Sequence, residues 1–168
     1  YARTIFDQLL RLAEALGAIR LENPETGPWL ASSESPVDDV LRAVEARLGL
    51  EFRCPAVYPD ELGLATCRGV LTYRAVHAMY QAHRLRQLTR GRPRPRVCEI
   101  GGGLGRTALY AAMLGVVDYT LVDLPLTGIS QGYYLGRCLG EDRVAFAGET
   151  AGAGDRIRLL TPEDFLRL

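Results

Sequence analysis

At 168 residues the chain is long enough for one domain whose core removes roughly 70% of the unfolded surface from water. Its 20 basic and 20 acidic residues cancel, so no global field recruits nucleic acid or an anionic membrane, and the expected partner is a small molecule. No apolar run reaches the ~18 residues that span a bilayer and no signal peptide opens the chain, which fits a cytoplasmic location.

The first half reads as helical. Ile5, Leu9, Leu12 and Leu16 recur at helical spacing and stop at Gly17, a natural residue just past a helix end. Ser35 and Pro36 read as N-cap and first helical residue of a second helix, whose stripe is Val37, Val40, Leu41, Val44 and Leu48 before Gly49. Between Glu51 and Gly69 the residues Pro55, Pro59, Gly63 and Gly69 punctuate a loop-rich connection. A third helix is predicted from about Leu71 to Leu88. On it Tyr73, His77 and Tyr80 share a face with Arg74 beside them, either as the lining of an acceptor pocket or as an aromatic packing stripe. His77 and His83 lie six apart and do not form an i, i+4 metal pair; either could be a base, and His77 is the better candidate because it shares the face with Tyr73 and Tyr80.

Alternating arginine and proline over Arg90 to Arg96 break this helix and hold an extended path. The expected organisation is therefore a helical region over 1–90, a linker over 91–95 and a second domain over 96–168. There the chain alternates strand and helix. Strands are predicted at Val97–Ile100, Tyr119–Val122 and Ile157–Leu160, with helices at Leu104–Leu114 and Thr127–Leu139 and a last one begun by Pro162. A glycine-rich loop around Gly148, Gly152 and Gly154 precedes the third strand. This β-α-β-α-β-α order implies an α/β fold with a parallel sheet. Cys54, Cys67, Cys98 and Cys138 form no C-x-x-C pair and no zinc-site spacing, so they read as free thiols and no metal is expected.

The chemistry concentrates in Glu99-Ile100-Gly101-Gly102-Gly103-Leu104-Gly105, a strand-to-helix turn where backbone can approach a ligand closely. A dinucleotide fingerprint would need its third glycine at Arg106, and the chain has Gly105 instead. A carboxylate at Glu99 would also repel a pyrophosphate held at the following helix. It attracts S-adenosylmethionine, which carries an ammonium and a sulfonium. An NAD-dependent oxidoreductase is accordingly disfavoured. Asp123, followed by Leu124, ends the second strand, where this kind of fold presents a carboxylate to ribose hydroxyls; a turn cap is the competing role. Glu163 and Asp164 could reach an adenine amino group or simply favour the start of a helix. Arg106 could orient the cofactor carboxylate or lie at the surface.

Val97–Gly105, then Tyr119-Thr-Leu-Val-Asp123-Leu-Pro125, Gln131-Gly-Tyr-Tyr-Leu-Gly-Arg137 and Leu139-Gly-Glu141 resemble the class I S-adenosylmethionine-dependent methyltransferases, and closely the sugar O-methyltransferases. The resemblance implies a Rossmann-like sheet and the cofactor positions Glu99, Gly101, Gly103 and Asp123; Gly102 and Gly105 of the same turn and Leu124 beside Asp123 are further candidate cofactor positions. It also implies that Gln131 and Tyr133 lie near the methionine end or the substrate mouth. Such enzymes have seven strands and this chain is predicted to supply three, so the first strand is expected to have an open edge. The chain then reads as an inactive fragment, or as one whose edge is covered by a partner subunit, which would make a homo-oligomer. A non-catalytic interaction module built on the same fold is the alternative.

Overall fold

Residues 1–19, 36–116, 118–149 and 156–167 are described by the computed structural model. Ser35, Gly152 and Gly154 lie outside the described residues. The chain divides into two compact units, Tyr1–Tyr80 and Gln81–Leu168.

In the first unit the leucine-rich stripes become helices α1 (Ala2–Ala15) and α2 (Val37–Leu48). Ile5, Leu9 and Ala13 of α1 and Leu41 and Val44 of α2 are fully buried. Each buried leucine or isoleucine contributes about 1.5–3 kcal/mol relative to exposure. Arg47 Nε donates to Leu16 O at 2.7 Å and so satisfies a carbonyl at the end of α1. Pro36 is the N-cap rather than the first helical residue: its ψ of 136° is extended, and Val37 begins the helix.

The stretch after Glu51 is more ordered than a loop. Strands β1 (Leu64–Thr66) and β2 (Gly69–Leu71) form an antiparallel hairpin around Cys67 and Arg68, with Leu64 opposite Leu71. Leu71 therefore belongs to a strand, and the third helix, α3 (Tyr73–Leu88), starts two residues later. Thr72 sets that start by accepting from the Ala75 amide through its hydroxyl at 3.2 Å, an N-cap bond. Glu45, buried on α2, ties helix to hairpin: its carboxylate takes Arg68 Nε at 2.9 Å and Nη2 at 3.0 Å, and also the Phe52 amide at 2.9 Å.

The second unit is α/β. Strands β3 (Arg96–Ile100), β4 (Asp118–Val122), β5 (Val144–Phe146) and β6 (Ile157–Leu160) form one parallel sheet in the order β3-β4-β6-β5. Helices α4 (Arg106–Met113) and α5 (Pro125–Leu139) connect them, and the short α6 (Pro162–Phe165) follows β6. The sheet has four strands rather than the three expected. Only three residues long and entered from a 3-10 turn at Glu141–Arg143, β5 shows no alternation that a sequence pattern could register. Phe146 at its end packs its ring against Gly132 of α5, where a Cβ would overlap it.

Strand β4 is interior, and Tyr119 to Val122 are all buried. At the other extreme, β3 is an edge: among the described residues it pairs with β4 alone, and Cys98 and Ile100 are exposed. The expected open edge of the first strand is thus present. No helix among the described residues is long and apolar enough to cross a membrane.

Candidate functional site

Parallel pairing in the order β3-β4-β6 sets the carboxyl ends of these three strands side by side, the place where open α/β sheets bind ligands. The residues that follow the strands are the glycine turn, Asp123-Leu124 and Thr161–Asp164. Most of the residues expected to contact a cofactor are therefore brought to one edge of the sheet by topology.

Glu99 lies in β3 with Val97 opposite Tyr119 and its own partner Leu121, so Tyr119 is on its face of the sheet. The Tyr119 hydroxyl donates to Glu99 Oε2 at 2.9 Å. Burial pushes the Glu99 carboxyl above its usual range; hydrogen bonds from Tyr119 and Thr107 oppose the shift, and the negative charge of Asp123 adds to it. Tyr119 itself is held far above an ordinary phenol, first by burial and then by the Glu99 charge, so it remains a donor. The Thr107 hydroxyl also lies 2.7 Å from Gln81 Oε1, and its one proton serves one of these two acceptors at a time.

The turn closes over this carboxylate. At Gly102 a Cβ would run into the Leu121 side chain and stand 3.1 Å from the Glu99 carboxyl, so a larger residue there requires the buried Leu121 side chain to shift. Gly101, at φ 74°, faces open space, with nothing within 4 Å of where a Cβ would be. Gly105 serves a different purpose. It is the left-handed N-cap of α4, and a Cβ there would meet Leu135 at 3.0 Å and Leu121 at 3.2 Å, so it permits helix, sheet and α5 to close up. Gly103, at φ 57°, turns its carbonyl toward α5.

Asp123 is half-buried, and both of its oxygens are engaged. Oδ1 accepts from the Leu124 amide at 2.9 Å, the local turn bond weighed above, while Oδ2 accepts from Gln131 Nε2 at 3.0 Å. The same Gln131 nitrogen donates to Gly103 O at 2.9 Å. Gln131 is 1% exposed, whereas its neighbour Tyr133 is 54% exposed and Leu124 66%. Asp164 closes a capping box: Oδ2 accepts from the Thr161 amide and hydroxyl, and its own amide donates to Thr161 Oγ1. These bonds hold Asp164 below the usual carboxylate range. Glu163 is exposed. The Arg106 guanidinium stands 5.2 Å from the centre of the Tyr134 ring, a cation–π contact.

Tyr73, Arg74 and His77 belong to the first unit and are exposed there. The Tyr73 and His77 rings lie 4.4 Å apart at 35°. His77 and Tyr80, with Gln8, Arg11 and Leu12 of α1, line a shallow cleft of about 200 Å³. Among the described residues no three of His, Cys, Asp and Glu converge to hold a metal ion.

Sequence reasoning missed one participant, Tyr119, and gave another, Gln131, a different place. Tyr119 reads as one more apolar strand residue until the register of β3 against β4 sets it on the face of Glu99. Gln131 looks like a helix residue near a site entrance until α5 turns it inward. No family model, curated protein or solved structure matches the chain.

Proposed function

We propose that the second unit binds S-adenosylmethionine, and that the chain supplies the donor half of an O-methyltransferase whose acceptor is a sugar or another small hydroxylated molecule. The observation that carries this reading is the Glu99 carboxylate under the glycine turn, pushed up by burial and by the charge of Asp123. A ligand cation relieves both effects. A pyrophosphate would add a third negative group beside them, which favours an ammonium- and sulfonium-bearing ligand over a dinucleotide. The residues fit that ligand. Glu99 would hold the ammonium, Asp123 would accept from the ribose hydroxyls through lone pairs not used by Leu124 and Gln131, and the open space at Gly101 admits close approach to backbone.

When bound, S-adenosylmethionine would supply an electrophilic methyl group, whose carbon an acceptor oxygen attacks in line with the S–C bond that breaks, leaving S-adenosylhomocysteine. A sugar hydroxyl is a poor nucleophile at neutral pH, so a base or a metal must help remove its proton. Within the second unit, Tyr133 is a candidate acceptor contact and Glu163 a candidate for the adenine end.

Calorimetry of the full chain with S-adenosylhomocysteine and with NAD, side by side, tests the reading. Binding of the nucleoside sulfide and not of NAD is expected. NAD binding without a response to the sulfide would overturn it. A second reading, an interaction module without catalysis, draws on the exposed Leu126, Ile129 and Tyr133, spaced i, i+3 and i+7 along α5, and on the edge strand β3. Light scattering over a range of concentrations separates the two: self-association with no ligand response favours the module.

A further inference from the structure

We propose that Gln131 is a positioning residue that orients the Asp123 carboxylate for the ribose hydroxyls by tying it to the glycine turn. The proposal rests on the S-adenosylmethionine reading above and assigns a part of that site to a residue in the middle of α5. Gln131 Nε2 donates to Gly103 O at 2.9 Å and to Asp123 Oδ2 at 3.0 Å. One amide nitrogen therefore bridges the loop after β3 and the loop after β4, which lie 20 residues apart in sequence. Both of its neighbours are oxygens that only accept, and this fixes which end of the amide faces them.

Burial at 1% exposure leaves Gln131 little choice of rotamer, and the Leu124 amide holds the other Asp123 oxygen at 2.9 Å. The carboxylate plane is thereby pinned from two sides. One lone pair on each oxygen stays available, which is what a ribose diol requires.

The arrangement carries a cost that a purely structural device could avoid. Gln131 Oε1 is buried and has no hydrogen-bond partner among the described residues. An orphaned buried carbonyl opposes folding, and a methionine or leucine of similar volume would fill the space without it. A glutamine at this position is explained by what its two N–H bonds do for the neighbouring loops.

Gln131→Met and Gln131→Leu test the proposal in the full chain. Calorimetry uses S-adenosylhomocysteine and its 2′,3′-dideoxyribose analogue, and amide hydrogen exchange is followed without ligand. The variants are expected to keep the thermal midpoint of the parent or exceed it. Their affinity for S-adenosylhomocysteine should fall about tenfold, the scale of one lost hydrogen bond to a charged group, while affinity for the dideoxy analogue stays as in the parent. Exchange at Gly103–Gly105 and at Asp123–Leu124 should accelerate in the free protein. An equal loss for both ligands, unchanged affinity for both, unchanged exchange, or failure of both variants to fold would each overturn the proposal. A parent that binds neither ligand would refute the cofactor reading instead, and the exchange measurement would still decide whether Gln131 orders the two loops.

Discussion

Glu99→Gln separates the electrostatic cost of the Glu99 carboxylate from its use. In the folded chain the carboxyl is pushed above its usual range, chiefly by burial and further by Asp123, so the native state holds this proton more tightly than the unfolded state does. Stability therefore declines as pH rises from the ordinary carboxylate value through the raised one. Glutamine has the same size, can still accept from the Tyr119 hydroxyl, and carries no charge. The variant should be at least as stable as the parent at neutral pH and should lack this group's pH slope.

Binding should move the other way. A hydrogen bond to a charged group is worth about 1.5–3 kcal/mol, so affinity for S-adenosylhomocysteine, which keeps the ammonium, should fall roughly 10- to 150-fold. Parent affinity should rise with pH across the same window, because a bound cation favours the ionised carboxyl, and this contribution should be absent in the variant. Urea unfolding and calorimetry over the acid-to-neutral range read both effects. A variant less stable than the parent at neutral pH, or one that binds equally well, refutes the reasoning.

Asp123→Ala should weaken S-adenosylhomocysteine binding about tenfold or more with an unchanged far-ultraviolet circular dichroism spectrum; unchanged affinity would remove Asp123 from the site. Gly102→Ala forces a methyl group into Leu121 and against the Glu99 carboxyl, and should destabilise the second unit by about 1–3 kcal/mol in urea unfolding while also lowering affinity. Glu45→Ala strips the Phe52 amide of its carboxylate acceptor as well as breaking the Arg68 pair, and should destabilise the first unit by about 1–3 kcal/mol for that amide alone. Protection of the Phe52 amide in hydrogen exchange checks this last prediction residue by residue.

Much of the architecture is legible in the residues themselves. The stripes Ile5, Leu9, Leu12 and Val40, Leu41, Val44 specify two helices and the faces that they bury, because helical periodicity is local. Glu99, the glycine run and Asp123 mark strand ends for a similar reason: glycine and acid at a turn answer to backbone geometry within a few residues. Short strands carry too few residues to show a period, which is why β5 and the β1–β2 hairpin escape a pattern reading.

Within the site the same boundary holds. The types of residue that the proposed ligand requires, Glu99 and Asp123 beside a glycine turn, were determined by the sequence alone, through charge and backbone freedom. Tertiary structure alone decided which side chains hold those carboxylates: Tyr119 on Glu99 and Gln131 on Asp123, with Glu45 and Arg68 joined likewise across 23 residues. Such pairs depend on strand register and on the rotation of a helix about its axis, and those are fixed by packing summed over the whole unit, not by any short stretch of chain.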